Sequence, residues 1–349
     1  LFYRYGPLLA LNEVGGEPGT FGRPVEDFHA HCARLAERWP ATMLTLSTHD
    51  TKRSADVRAR LHVLSEIPEA WGAAVTRWHE ANARHRGRHG PDPEMELTLY
   101  QTLVGAWPIE ADRVVAAMAK SAREAKVLTS WTNPDAGYDA DLESFARAVL
   151  ADGAFVAGLE GFLAEHRIVE LGRRNALTQA TLLVTGPGVP DVYQGTELWE
   201  HSLVDPDNRR PVDHDRRAAL LDELAEAGPE QALAHLDDGG AKLWLLAQVL
   251  RHRRRHPEPF CSRHWTPLAA TGGKAEHVVA FSRGELVAVV PRLVHGLGDD
   301  WGDTALELPD GGGPWRDLLG GKEHAPGAVR VADLLAAFPT AVLVREEPG

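Results

Sequence analysis

The hydrophobic positions near the start of the chain repeat with the period of a helix. In residues 26–39 the apolar side chains fall on one stripe, which Pro40 ends. The members of this stripe are Phe28, Cys32, Leu35, Ala36 and Trp39. Residues 42–47 (TMLTLS) follow at once, and their short block of apolar and β-branched side chains predicts a strand. A helix that leads this directly into a strand is typical of a parallel sheet built from alternating helices and strands.

The pattern then stays helical for a long stretch. Ser54 is a plausible N-cap, and from there to about residue 179 the apolar spacing predicts helices, with a polar break at residues 84–93 (RHRGRHGPDP). The next predicted strand is residues 181–185 (TLLVT). Since a parallel sheet needs only one helix between strands, residues 55–179 are predicted to be an inserted helical subdomain.

The last part of the chain changes from helices to short strands. Glycines and prolines predict a stiff turn at residues 186–191, and helices are predicted near residues 214–226 and 241–255. Short strands are then predicted at residues 278–282, 286–290, 329–331 and 341–344. Strands at this spacing favour a small β-sandwich over residues 257–349.

Composition narrows the class of protein. The chain has 349 residues, and its 37 basic and 50 acidic side chains give a net charge of -13, which argues against nucleic acid and anionic membranes as partners. Its 2 cysteines, Cys32 and Cys261, form no disulfide framework, so a cytoplasmic location is expected. The longest uncharged run, residues 175–190, is too short and too polar to span a bilayer. Because the chain begins with Leu1 rather than Met, we expect it to be part of a longer protein.

Three polar clusters could carry chemistry. His49, Asp50, Lys52 and Arg53 follow the first predicted strand, where parallel folds place their active sites, although a loop of paired ions would look the same. An aspartate there could hold sugar hydroxyls and stabilise positive charge at an anomeric carbon. The second cluster is residues 205–213 (DPDNRRPVD), and the third contains Asp191, Tyr193 and Gln194. Both resemble sugar-binding loops and ordinary solvated turns equally well.

The sequence predicts no metal and no cofactor. His29, His31 and Cys32 suggest a zinc site, but on a helix His29 and His31 point to different sides and Cys32 falls on the apolar stripe. His85 and His89 would need a helix through Gly87 to share a ligand face, so solvated loop histidines are favoured. Nucleotide-binding glycine loops and a GxSxG nucleophile motif are not found in the sequence.

Several segments together resemble one enzyme family. These segments are residues 2–5 (FYRY), 9–16 (LALNEVGG), 47–54 (STHDTKRS), 56–60 (DVRAR), 99–108 (LYQTLVGAWP), 130–134 (SWTNP), 187–197 (PGVPDVYQGTE) and 203–213 (LVDPDNRRPVD). As a set they are similar to the malto-oligosyltrehalose synthases of the α-amylase superfamily, glycoside hydrolase family 13. The resemblance extends over nearly the whole chain.

The resemblance implies an α/β fold, namely the C-terminal part of a (β/α)8 TIM barrel with a large helical insertion and a C-terminal antiparallel β-sandwich. Residues 1–54 would end with barrel strand seven at 42–47, and residues 55–179 would form the insertion. Residues 180–256 would begin with strand eight at 181–185, and residues 257–349 would form the β domain.

The resemblance also implies an isomerase, a (1→4)-α-D-glucan 1-α-D-glucosylmutase. It would convert the reducing-end α-1,4 linkage of a malto-oligosaccharide into an α,α-1,1 linkage in trehalose biosynthesis. No cofactor is implied, and a malto-oligosyltrehalose trehalohydrolase is implied as the functional partner that acts next. A retaining mechanism with water excluded fits this chemistry.

Residue roles follow only from the resemblance. Asp50 would stabilise the oxocarbenium-like state, and His49 would donate to a neighbouring hydroxyl. Lys52 and Arg53 would line the acceptor side. The weaker candidates for sugar contacts are Asn12, Glu13, Asp191, Tyr193 and Gln194. In this family the nucleophilic Asp and the acid/base Glu stand on earlier barrel strands, so this piece alone is expected to be inactive and poorly stable.

Two alternatives stay open on the sequence. One is a hydrolytic or glucan-transferring relative, such as a trehalohydrolase, in which water or another glycan attacks. The other is a glucan-binding module without catalysis.

Overall fold

The computed structural model describes residues 2–345, so Leu1 lies outside the described residues. The chain divides into two compact units. Unit 1 consists of residues 1–21, 49–173 and 201–210, and unit 2 consists of residues 22–48, 174–200 and 211–349. The domain boundaries expected after residues 54, 179 and 256 stay predictions.

Helices are the regular secondary structure of unit 1 in its described residues. Its α-helices are Ala55–Leu64, Pro68–Ala81, Pro93–Ala106, Ala111–Ala125, Ala136–Ala151 and Gly153–Glu165, with short 3₁₀ turns at Leu9–Leu11, Asn82–His85 and Asp207–Arg209. The predicted N-cap at Ser54 is confirmed, because its hydroxyl accepts a hydrogen bond from the Val57 amide at 3.4 Å. Asp92, Asp135 and Asp152 cap three further helices in the same way.

Aromatic rings fill the centre of unit 1. Trp78 lies 5.4 Å from Tyr100, 5.6 Å from Phe155 and 5.5 Å from Phe162, measured between ring centroids. Such edge-to-face contacts add to the free energy gained by burying the rings. The helical packing that the sequence predicted for residues 55–179 is therefore observed.

Unit 2 contains all the strands of the described residues. The first two are β1 (Met43–Thr45) and β2 (Val189–Asp191), which pair in parallel with Thr45 opposite Asp191. The predicted strand at 42–47 is thus confirmed, although it is shorter. The helix predicted before this strand is observed at Val25–Arg38. Trp39, predicted to belong to the apolar stripe of that helix, is its C-cap residue and is 67% exposed.

The strand predicted at residues 181–185 is wrong. These residues end the helix Ile168–Thr185, and the second parallel strand is β2. The Thr181 hydroxyl donates to the Leu177 carbonyl at 2.9 Å, and the Thr185 hydroxyl donates to the Thr181 carbonyl at 2.7 Å. Hydroxyls that bond four residues back let threonine stay in a helix. Because this run is largely buried, its composition alone did not distinguish helix from strand.

The later strands form antiparallel sheets. They are β3 (Thr266–Pro267), β4 (Val278–Ser282), β5 (Leu286–Pro291), β6 (Ala305–Leu308), β7 (Trp315–Asp317), β8 (Glu323–His324), β9 (Gly327–Arg330) and β10 (Ala341–Val344). Six of them pair in the order β3-β4-β5-β10-β7-β8, and β6 pairs with β9. The predicted strands at 278–282, 286–290 and 341–344 are confirmed, and the one at 329–331 begins and ends earlier, as β9.

The remaining helices of unit 2 pack beside these strands. They are His214–Glu223, Pro229–Ala234, Gly240–Arg255, Glu258–Cys261, Val294–Leu297 and Val331–Leu334, with a 3₁₀ turn at Ala275–His277. One buried cluster joins Trp244, Phe281 and Phe338. A second cluster joins Val289 of β5 with Leu306 of β6. Among the described residues, no helix is both long and apolar enough to cross a membrane.

Candidate functional site

The loop that follows the first strand in the chain carries an exposed carboxylate. The Asp50 side chain is 60% exposed, and the Lys52 ammonium donates to its Oδ1 at 2.8 Å and to its carbonyl at 2.8 Å. The hydrogen bond and the positive charge of Lys52 lower the pKa of Asp50. Asp50 therefore presents an ionised carboxylate to solvent at neutral pH.

The Lys52 side chain is much more buried than that of Asp50. Its side chain is only 11% exposed, and its ammonium lies 5.5 Å from the centroid of the Phe2 ring. Lys52 thus fixes the carboxylate of Asp50 on one side while leaving the rest of it accessible. Such a carboxylate can accept hydrogen bonds from hydroxyl groups and stabilise nearby positive charge.

The backbone of this loop is bound to the carboxylate of Glu13. The Lys52 amide lies 2.9 Å from each oxygen of Glu13, and the Arg53 amide lies 3.2 Å from Oε2. The Val14 amide donates to Oε1 at 2.9 Å, and Arg58 Nη1 lies 3.6 Å from Oε2. Glu13 is only 8% exposed, so its contacts are with the protein backbone and a buried cation.

Asn12 holds the segment from which Glu13 projects. Its side-chain nitrogen donates to the carbonyls of Phe2 at 3.0 Å and Tyr5 at 2.5 Å, and only 1% of the residue is exposed. The sequence predicted a sugar contact here. The structure places Asn12 in the interior of unit 1, and the sugar contact stays a prediction.

Arg53 points into unit 1 rather than outward. It is 4% exposed, and burial lowers its pKa to about 10, an effect that the charges of Tyr3 and Glu13 oppose. Its Nε and Nη1 have no hydrogen-bond partner among the described residues. The contact with an acceptor sugar that the sequence predicted for Arg53 stays a prediction.

Residues 201–210 form a second support for the same loop. The Ser54 amide donates to the Ser202 carbonyl at 3.0 Å, and Asn208 Nδ2 donates to the His49 carbonyl at 2.9 Å. Arg53 and Leu203 form an isolated antiparallel bridge. These contacts leave the His49 side chain exposed beside Asp50.

Residues 201–210 are themselves anchored by Asp207. Arg113 donates to the two carboxylate oxygens of Asp207 at 2.7 and 2.9 Å, and the Leu203 amide donates to it at 2.7 Å. The bonds from Arg113 and Leu203 outweigh desolvation and lower the pKa of Asp207. In this polar cluster, Asp207 therefore anchors the segment.

The third candidate cluster lies in unit 2. Asp191 ends β2, Tyr193 is half-buried and Gln194 is exposed. The Tyr193 carbonyl accepts from the Thr196 amide at 3.0 Å, and Arg217 donates to the Gly195 carbonyl at 2.8 Å. This turn therefore has a defined shape, and the sugar contacts expected of it stay predictions.

The turn before β2 is fixed by a buried guanidinium. Arg283 is 0% exposed, and its Nη1 donates to the carbonyls of Thr185 at 2.9 Å and Gly186 at 2.7 Å. Its Nη2 donates to the carbonyls of Phe260 at 2.8 Å and Ser262 at 3.0 Å. Burial lowers the pKa of Arg283 to about 10, so it stays charged at neutral pH.

Arg253 and Gly188 complete this turn. Arg253 donates to the carbonyls of Val184 at 3.3 Å and Gly188 at 2.5 Å. Gly188 has φ of +147°, and a Cβ there would lie 2.6 Å from the Thr42 carbonyl oxygen. Glycine is therefore required where β1 and β2 begin to pair.

The histidine and cysteine considered for zinc are used in packing. His29 Nδ1 accepts from the Trp265 indole at 3.2 Å, and burial lowers the pKa of His29. Burial raises the pKa of the Cys32 thiol to about 12. A thiol that holds its proton this strongly is a poor metal ligand.

Comparison with known proteins finds relatives that match nearly the whole chain. No protein-family model matches the chain. It is 41% identical over 357 aligned residues to putative maltooligosyl trehalose synthases from two strains of Mycobacterium tuberculosis, covering 99% of this chain and 43% of theirs. The solved maltooligosyltrehalose synthase from Arthrobacter ramosus is 39% identical with a TM-score of 0.88, covering 99% of this chain and 44% of that one. A hypothetical maltooligosyl trehalose synthase from Sulfolobus tokodaii is 26% identical with a TM-score of 0.77, covering 99% and 44%.

The chain is therefore similar, over 99% of its own length, to part of a maltooligosyl trehalose synthase. The resemblance predicted from the sequence motifs is thereby confirmed. The chain spans less than half the length of the relatives it matches, at 43% of the Mycobacterium proteins. The mixed fold with an antiparallel sheet is likewise shared with the solved synthases.

The structure brings six of the nine predicted site residues together in unit 1. These are His49, Asp50, Lys52, Arg53, Asn12 and Glu13. The sequence did not identify Arg113, Arg253 or Arg283 as supports of the candidate loops. Arg283 follows β4 in a polar turn before β5, where a charged side chain is ordinary, so the sequence carries no signal of its burial.

Proposed function

We propose that the complete protein containing this chain converts the reducing-end α-1,4 linkage of malto-oligosaccharides into an α,α-1,1 linkage. The observation that carries the proposal is the exposed, ionised carboxylate of Asp50, paired with Lys52 in a chain that matches synthases over 99% of its length. Malto-oligosaccharides are the substrate class that the relatives' names support.

In this proposal Asp50 binds hydroxyls of the distorted sugar and stabilises the positive charge that develops at its anomeric carbon. His49, exposed beside it, donates to a neighbouring hydroxyl, and Lys52 faces the acceptor glucose. The nucleophile and the acid/base group come from outside this chain.

The nucleophile displaces the reducing-end glucose, whose leaving oxygen takes the proton of the acid/base group, and a glycosyl-enzyme forms. The glucose stays in a water-excluded site and attacks the glycosyl-enzyme through its own anomeric hydroxyl, which gives its proton to the same group. This second displacement breaks the bond to the nucleophile, so the donor configuration is retained.

The finer description of the fold belongs to the same proposal. We infer that β1 and β2 are neighbouring strands of a (β/α)8 barrel, which their parallel pairing supports. We also infer that the antiparallel sheets of residues 257–349 form a β-sandwich, which their shared buried cluster supports. A cytoplasmic location and a trehalohydrolase acting on the product remain part of the proposal.

The direct test is to incubate the complete protein with maltopentaose. Reducing ends should disappear while no shorter sugars are released, because the transfer is intramolecular. Free glucose as the main product would instead indicate the hydrolytic alternative. Binding of maltopentaose without any product would indicate a glucan-binding module.

Removing the charge of Asp50 should stop the reaction. In the complete protein, Asp50→Asn should lower kcat about a thousandfold or more, because it removes a contact made in the transition state. The fold should be retained, since the carboxylate is largely exposed. Steady-state kinetics with maltopentaose and a thermal melt measure both effects.

Asp333→Asn is the matched control for this variant. Asp333 is also an exposed carboxylate whose pKa is lowered by a paired cation, here Arg330 at 2.8 Å. Its loss should leave kcat unchanged within about twofold, as is normal for a surface pair. Near-normal turnover of Asp50→Asn would remove Asp50 from the mechanism.

A further inference from the structure

The carboxylate of Glu13 connects two distant parts of the chain. It bonds the backbone amides of Lys52 and Arg53, which are 39 and 40 residues away in sequence. These amides lie two and three residues after Asp50, which carries the proposed chemistry.

We infer that Glu13 is a positioning residue, whose carboxylate fixes the backbone at Lys52 and Arg53 so that Asp50 meets the sugar in one orientation. This inference rests on the proposed function. It differs from the sugar contact that the sequence suggested for Glu13, because the carboxylate is 8% exposed and its oxygens are occupied by backbone amides.

A carboxylate is needed at this position for two reasons. Each oxygen accepts from at least two donors: Oε1 from Val14 and Lys52, and Oε2 from Lys52 and Arg53. An amide would turn its NH₂ group toward N–H donors in either orientation, so at least one side would lose its acceptor.

The second reason is charge. Arg53 and Arg58 are both buried near Glu13, and its negative charge opposes the effect of burial on the pKa of each. A neutral side chain at residue 13 would remove a negative charge that acts on both of these guanidinium groups. We expect the loss of this charge to change the conformation of the segment between Asp50 and Arg58.

The structural part of the inference can be measured without substrate. Hydrogen exchange of the complete protein should show residues 49–54 exchanging at least tenfold faster in Glu13→Gln than in the wild type. Glu96→Gln is the matched control, because Glu96 is a buried carboxylate of the same unit that accepts from Arg86 at 3.0 Å. It should leave the exchange of residues 49–54 unchanged.

The catalytic part is measured with maltopentaose. Glu13→Gln should lower kcat about 10- to 100-fold with little change in KM, since small misplacement of a catalytic group has effects of this size. In the Asp50→Asn background the same change should lower kcat less than twofold further, because Glu13 acts through Asp50. Glu96→Gln should keep kcat within twofold of the wild type.

Three results would overturn the inference. If Glu13→Gln raised KM and left kcat unchanged, Glu13 would be a substrate contact. If the effects of Glu13→Gln and Asp50→Asn on kcat were fully additive, Glu13 would not act through Asp50. Unchanged exchange at residues 49–54 would remove the positioning role altogether. If Glu13→Gln does not fold, Glu13→Asp provides the same measurements, because it keeps the charge while withdrawing it by one methylene group.

These outcomes are separable from failure of the proposed function. A wild-type protein that does not form the α,α-1,1 linkage would refute that function. The exchange measurement would still report whether Glu13 holds the loop.

Discussion

Two loops are fixed by buried charges of opposite sign: one carries Asp50, and the other leads into β2, which ends at Asp191. In unit 1, the Glu13 carboxylate accepts from the amides of Lys52 and Arg53. In unit 2, the Arg283 guanidinium donates to the carbonyls of Thr185 and Gly186. In each case the charge matches the polar groups that the loop backbone leaves unpaired.

The comparison distinguishes buried charges, which stabilise the conformation of a loop, from exposed charges, which can contact a substrate. Glu13 and Arg283 are 8% and 0% exposed, whereas the Asp50 side chain is 60% exposed. A buried charge surrounded by backbone groups stabilises a loop conformation. Only the exposed carboxylate is available to a sugar.

Removing the guanidinium of unit 2 should have the largest effect on stability. Arg283→Met leaves four carbonyl groups without their donors, and we expect a loss of about 3–5 kcal/mol. Hydrogen exchange of residues 184–191 and chemical unfolding of the complete protein measure this loss.

Arg330→Met provides the control for this prediction. The Arg330 side chain is 64% exposed and pairs with Asp333 at the surface, so its removal should change stability by about 0.5 kcal/mol or less. If Arg283→Met lowered the free energy of unfolding no more than Arg330→Met does, the buried guanidinium would not be what stabilises the turn before β2. The parallel between Glu13 and Arg283 would then be wrong.

Lowering the pH should increase the free energy of unfolding through Asp317, by less than the loss expected for Arg283→Met. Burial raises the pKa of Asp317 to about 6, although backbone amides including that of Leu319 act to lower it. Because the pKa is raised in the folded protein, the stability that this group contributes is complete below about pH 4. It is lost as the pH rises through about 6, and amounts to about 3 kcal/mol at most.

Hydrogen exchange of β10, corrected for its intrinsic pH dependence, should therefore show more protection at pH 4.5 than at pH 7.5. Asp317→Asn should abolish this difference, since the amide does not titrate. Persistence of the same pH dependence in that variant would assign it to another group.

Much of the fold could be predicted because it depends on local patterns. Pro40 marks the end of the first helix and Ser54 the start of the next, and both signals are visible in a single sequence. The prediction for residues 181–185 was wrong because burial on all sides removes the periodicity that separates helix from strand. There, threonine hydroxyls bonded to the helix backbone decide the outcome.

The candidate site was predictable only in part, for a related reason. Asp50 could be found from its place after a strand, since position along the chain is local information. The bonds from Lys52 to Glu13 and from Arg113 to Asp207 join residues 39 and 94 positions apart. No spacing rule in one sequence predicts such pairs, so neither bond was expected from the sequence.

The central claim is that the carboxylate at residue 50 meets the sugar whose linkage is exchanged. It is tested most directly by a crystal structure of the complete Asp50→Asn protein with maltopentaose bound. We predict that the side chain of residue 50 lies within about 3 Å of a hydroxyl of the sugar at the reacting linkage. A bound maltopentaose whose reacting linkage is remote from residue 50, with that side chain in solvent, would contradict the account.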